Sequence, residues 1–139
     1  MLNLIQRIVR DAAWPGLVVL VAHSVLGETF GHEPYVDPLM HFAGGVAAAF
    51  FFTRLPRVFP EYLGEPTPLA TALLGIGLTS AVAILWELGE YVSDVLLGTH
   101  MQRGVGNTMR DLTNGMLGAS LFVAIRRERG RTAATWRTP

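Results

Sequence analysis

No cysteine occurs in this chain, and none of its 139 residues is a lysine. The first absence excludes disulfides, thiolate nucleophiles, thioether-attached haem and sulfur-ligated metals. The second leaves arginine as the only strongly basic side chain. Charge of either sign is scarce: 16% of residues are charged while 50% are hydrophobic. That balance excludes an ordinary soluble domain of this length. No phosphate-cradling loop is evident, since Gly104-Val105-Gly106 is too short and follows no strand pattern. No serine sits in a nucleophile elbow, and no folded basic surface suits nucleic acid.

What remains is apolar length. Four membrane spans of about 20 residues each would use roughly 80 residues, leaving short loops and two tails. The expected fold is all-α: a four-helix transmembrane bundle with an N-terminal interfacial amphipathic helix. Residues 1–125 form a single integral membrane domain, with spans at about 12–30, 38–55, 69–97 and 108–125, and residues 126–139 form an Arg-rich cytoplasmic tail.

The apolar residues Leu2, Ile5, Ile8 and Val9 recur at helical spacing against Asn3, Gln6, Arg7 and Arg10, as in a short helix lying in the membrane interface. Trp14 suits headgroup depth, and Pro15 suits the first turn of a helix. A basic start before an apolar run also fits a signal peptide. No small-x-small cleavage site follows, so an uncleaved anchor is expected. The second span carries Gly44, Gly45 and three alanines from Ala47 to Ala49, residues that let helices approach closely in lipid. Pro56, Pro60, Pro66 and Pro68 punctuate the turn that follows. The third segment exceeds what a bilayer requires, so its end should project or tilt.

Arginine positions fix the expected orientation. Arg7 and Arg10 precede span one, Arg54 and Arg57 follow span two, and Arg126, Arg127, Arg129, Arg131 and Arg137 follow span four. Four spans put these nine on one side, which the positive-inside rule makes cytoplasmic, together with both termini. The tail could touch anionic lipid, and its end is expected to be poorly ordered. Arg103 and Arg110 fall on the outer side, with Glu28, Glu33, Asp37, Glu87, Glu90, Asp94 and Asp111.

This topology places Asp37, His41, Glu87, Glu90, Asp94, Asp111 and Asn114 at one depth, near the outer leaflet. Within each helix their spacings of three and four residues share a face. Ionisable groups at membrane depth are costly and face a bundle interior or wet cavity, so three polar faces should converge. Carboxylates and imidazole ligate divalent metals, and a metal with an open position activates water. The metal candidates are His41, Glu87, Glu90, Asp94 and Asp111, and the catalytic candidates Glu87, Glu90 and Asp111. The only cofactor suggested is a divalent metal ion.

Structural readings compete. Asp37 before Pro38 fits an N-cap, and Thr108 with Asp111 resembles a capping box. Arg103 and Arg110 could neutralise the acids in an ion-pair network. His41 could simply hydrogen-bond a carboxylate, and His23, isolated in span one, reads as a packing histidine. His32 and His100 lie in outer loops. Trp86 and Tyr91 read as interfacial anchors.

Taken together, Asp37-Pro38-Leu39-Met40-His41-Phe42 with Gly44-Gly45, Trp86-Glu87-Leu88-Gly89-Glu90, and Thr108-Met109-Arg110-Asp111-Leu112 with Asn114 and Gly118-Ala119 resemble the YjdF-like family of small bacterial inner-membrane proteins. VanZ-like proteins share the skeleton more distantly. The likeness covers about residues 37–120 and implies a multi-pass protein of the bacterial inner membrane. Asn107 stands where the family's late motif has its first Asp, and Pro38 replaces the VanZ-type Lys.

Two functions are expected to compete. One is a metal-assisted site at the outer leaflet acting on a lipid-linked or amphiphilic substrate. The other is a non-catalytic accessory subunit of a larger membrane protein complex. A proton path is disfavoured by the uncharged residues 69–85 and by the apolar end of span four. The bilayer is the one partner composition requires.

Overall fold

Apolar length and local end signals divide the chain into helices, and the computed structural model, which describes residues 2–30 and 35–135, shows where each begins and stops. The elements are α1 (Leu2–Ile8), a π-helical turn (Val9–Ala13), α2 (Trp14–Phe30), α3 (Val36–Val58), the short α4 (Pro60–Leu63), α5 (Pro68–Leu97) and α6 (Val105–Thr135). There is no strand among the described residues. The outward placement expected for Glu28, His32 and Glu33, and the tail residues Arg131 and Arg137, fall outside the described residues or side chains.

End chemistry explains the boundaries. The Thr67 hydroxyl accepts from the Ala70 N–H at 3.2 Å, and Pro68 follows at the first helical position, where a missing N–H costs nothing. Gly98 ends α5 at φ 66°, with its N–H on the Asp94 carbonyl. This left-handed stop is one that glycine takes without strain. Gly64 ends α4 at φ 58° in a similar way.

Three expectations need correcting. The interfacial helix does not lie apart: α1 passes into α2 through the π turn, and Asn3–Leu26 together are apolar enough to cross a membrane. Pro56 does not end the second helix, which runs on to Val58; near a C-terminus a proline removes little of the ladder. α6 continues through Thr135, so most of the Arg-rich tail is helical.

Three helices are long and apolar enough to span a bilayer: Asn3–Leu26, Val36–Val58 and Pro68–Leu97. α6 falls short of that standard. Arg110, Asp111 and Asn114 occupy its first turns, and arginines resume at Arg126.

α3 is the centre of the packing. It contacts α2, α5, α6 and the π turn, and its largest interface is with α6. Trp14 meets Phe50 edge-on at 6.2 Å, and Phe50 meets Phe122 at 5.9 Å. The Arg7 guanidinium donates to the Val58 carbonyl at 3.1 Å, and Arg126 lies within electrostatic range of Arg54 and Arg57. The ends of α3 and α6 therefore share one arginine-rich level with the start of the chain.

Backbone contact makes the α3–α6 interface possible. A methyl group on Gly45 would drive into the Gly115 carbonyl, and one on Gly118 into the Phe42 carbonyl. Ala49 and Ala119, both 0% exposed, continue the seam. Gly75 brings α5 in similarly, its absent Cβ lying 2.6 Å from the Thr53 methyl. Small residues permit this approach, and dispersion and weak backbone contacts then hold helices together in lipid. Gly45→Ala and Gly118→Ala are each expected to destabilise the protein by about 1–3 kcal/mol through overpacking. Gly77→Ala, where a methyl meets nothing within 4 Å, should be neutral or slightly stabilising. Thermal unfolding in detergent, followed by circular dichroism, measures all three.

Candidate functional site

At the end opposite Arg54, Arg57 and Arg126, the start of α3, the second half of α5 and the start of α6 come together. Asp37 and His41 are one turn apart on α3, and the His41 Nε2 lies 3.6 Å from an Asp37 oxygen. The other ring nitrogen, Nδ1, lies 3.8 Å from Glu87 Oε1 on α5. From α6, the Asp111 side chain enters at 0% exposure. Ligand atoms of Asp37, His41 and Asp111 all lie within 4.8 Å of one another. Both imidazole nitrogens thus face carboxylates, at separations longer than ordinary hydrogen bonds.

Arg110 completes the group. Its guanidinium lies 3.7 Å from Asp37 and 3.4 Å from Asp111, and donates to the Asn107 amide oxygen at 2.6 Å. The Asn107 amide nitrogen in turn donates to Asp111. Arg103 lies within electrostatic range of Asp37. The ion-pair network expected for these arginines is therefore present around Asp37 and Asp111.

Glu87 is different. It is 4% exposed, and neither carboxylate oxygen accepts a hydrogen bond among the described residues. Burial of an unpaired carboxylate is costly, and a native group in that condition calls for a bound ion, a proton or water. Glu87 also borders a recess of about 340 Å³ between α5 and α6, with Thr108 and Gln102 on its walls.

The remaining candidates lie differently. Glu90 is buried, and its carboxylate accepts from the Trp86 indole at 2.8 Å. Asp94 does not join the cluster. It accepts from the Thr99 hydroxyl at 2.5 Å and from the Met101 and Gln102 amides at 2.8 and 2.9 Å, so its carboxylate fastens the loop between α5 and α6. Asn114 turns its amide back to the Arg110 carbonyl at 2.9 Å. The capping readings also fail, because α3 begins before Asp37 and α6 before Thr108. Asp37 and Asp111 are free of that duty.

Sequence reasoning missed two partners. Trp86, read as a headgroup anchor, holds Glu90 and receives the edge of His23 at 6.0 Å; its spacing of four from Glu90 was the available signal. Asn107, read as a departure from a motif, braces both Arg110 and Asp111.

Asp37, His41 and Asp111 are a chemically reasonable set for a divalent cation. Oxygen and nitrogen ligands sit about 2.0–2.2 Å from an ion such as zinc, so binding would require these side chains to draw in toward a common centre.

Helices of membrane-crossing length around a buried polar cluster define an all-helical integral membrane protein. Residues 11–129 match the family model described as "Predicted membrane protein (DUF2238)", and the chain belongs to that family. No curated protein and no solved structure matches it.

Loss of three charge-assisted bonds makes Asp94→Ala a stability variant rather than a site variant. It should lower the melting temperature and speed proteolysis within residues 98–104. Limited proteolysis beside a thermal melt distinguishes this from an effect on the cluster.

Proposed function

We propose that this protein is a four-span protein of the bacterial inner membrane whose Asp37, His41 and Asp111, beside Glu87, bind a divalent metal at the outer leaflet. There they act on a lipid-linked or amphiphilic substrate. The observation that carries the reading is Glu87: a carboxylate 4% exposed, with the Thr108 hydroxyl near it but no hydrogen bond of ordinary geometry, and beside three potential ligands on two other helices. A structural network alone would be expected to satisfy that carboxylate.

A divalent cation at this position would supply Lewis acidity toward a phosphoryl or carbonyl oxygen. Asp37, His41 and Asp111 would hold it. Glu87, within reach of His41, is suited to hold and move a proton. Arg110, with its side chain 42% exposed, can attract an anionic group from the external side. Glu90, fixed by Trp86, supports the negative potential of the pocket. The resemblance to YjdF-like and, more distantly, VanZ-like proteins agrees with this placement.

Packing supports a fourth span. α6 lies along α3 and α5, both of membrane-crossing length, and its 31 residues reach about 45 Å. Its polar first turns face the cluster, while residues 112–125 carry no charge. The arginine distribution supports cytoplasmic termini. Reporters fused after residue 139 should be active if they require the cytoplasm and silent if they require export; the reverse pattern would remove the orientation.

Metal analysis of purified protein tests the site. Wild type should retain a stoichiometric divalent cation. His41→Ala and Asp111→Ala should weaken retention by more than about tenfold, and Asp94→Ala should leave it unchanged. A metal-free wild type, after purification without chelators and titration with zinc or manganese, would remove the proposal. The accessory-subunit alternative rests on the short connections of the bundle and predicts a stable partner in mild detergent.

A further inference from the structure

We infer that the cleft between α2, α3 and α5 seats one acyl chain of a bilayer phospholipid, which enters sideways from the membrane and reaches His41. The inference deepens the metal-site reading and rests on it for the fate of the headgroup; the seat itself stands on the cleft.

α2 packs along α3 but forms no comparable interface with α5. Between them lies a cavity of about 450 Å³, walled by Gly16 and Leu20 of α2, Gly44, Ala48 and Phe52 of α3, and Val82 of α5. The walls belong to the three segments apolar enough to cross a membrane. From Ala13, at the end of the π turn, to His23 of α2, both on its lining, the chain rises about 15 Å. The cavity is therefore elongated along the helices, as a hydrocarbon chain is and a compact solute is not. An apolar cavity of this kind is a poor host for water.

The glycines carry the argument further. In membrane helices small residues usually mark close approach, as Gly45 does against Gly115. Gly16 and Gly44 both line the cavity, and a methyl added to either meets nothing within 4 Å. These two are not spent on helix contact. Their lack of side chains widens the cleft from both sides.

The cleft ends in chemistry. His41 lines it and is the same residue that faces Asp37 and Glu87. A chain lying in the cleft would bring its glycerol and phosphate to the level of the cluster, where Arg110 offers a partly exposed guanidinium. Guanidinium and a divalent cation are both suited to phosphate oxygens.

The test uses full-length protein in vesicles of phosphatidylethanolamine and phosphatidylglycerol. The vesicles are doped with a phosphatidylethanolamine that bears a diazirine at the end of one acyl chain. After irradiation, adducts are mapped by peptide mass spectrometry. Wild type should carry adducts on the facing walls of α2 and α3. Gly44→Phe should reduce them about tenfold, the discrimination expected when roughly two methylenes are excluded from an apolar site. Gly16→Leu, filling from the opposite wall, should act likewise, and Gly77→Leu, off the cleft, should not. Adducts confined to positions such as Leu73 and Leu85, or undiminished in both filling variants, would overturn the seat. Metal content is measured on the same samples. Wall adducts without metal sustain the seat and remove the metal reading; metal without wall adducts does the reverse.

Discussion

The contact on which the structure depends is the glycine crossing of α3 and α6. Gly45 lies against Gly115, and Gly118 against the Phe42 carbonyl, so two backbones meet with no side chain between them. In lipid the hydrophobic effect would not drive the two helices together. Close approach brings dispersion and weak backbone contacts into play. It also sets the position of Asp111 relative to Asp37 and His41, because these residues stand only one or two turns from the crossing. Were the helices one methyl group further apart, the ligand atoms now within 4.8 Å of one another would separate.

Burying acids so close to hydrocarbon demands compensation, and the compensation is uneven. Asp111, fully buried, is braced by Arg110 and Asn107. Glu90 has the Trp86 indole, and Asp94 has three donors from its loop. Each of these three carboxylates has donors of its own. Glu87 stands apart, with an imidazole at 3.8 Å and the Thr108 hydroxyl beside it but no hydrogen bond of ordinary geometry. Uneven satisfaction within one cluster is the pattern expected where some members build the pocket and another works in it.

Much of the architecture was legible from apolar length and end signals. Pro68–Leu97 matches its expected extent because Thr67, Pro68 and Gly98 mark both ends locally. The helix through Pro56 was not legible, since a proline late in a helix and a proline in a turn look alike in sequence. The start of the chain misled for another reason. Its polar residues suggested an interfacial face, yet Arg7 spends its guanidinium on the Val58 carbonyl and Arg10 pairs with Asp11, so the helix continues into the span. In the site, helical spacing brought Asp37, His41, Glu87 and Asp111 to one level, because side chains three and four apart share a face. Spacing could not reveal that loop amides had claimed Asp94, or that Asn114 had turned to its own backbone. Those are choices among donors, and the donors lie on neighbouring segments whose course the sequence pattern does not describe.

Adjacent glycines on α3 divide two tasks that ordinarily conflict. Gly45 points at α6 and removes the space between helices; Gly44, turned about 100° around the axis by one residue of helix, lines the cleft and leaves space. A bundle optimised only for stability would fill the second position, because interior glycine costs helix stability relative to alanine and an unfilled apolar gap forfeits dispersion contacts. The fold keeps both, one turn from His41. Close packing on one face of α3 fixes the polar groups, while looseness on the neighbouring face leaves hydrocarbon a route to them, and His41 stands where the two faces meet.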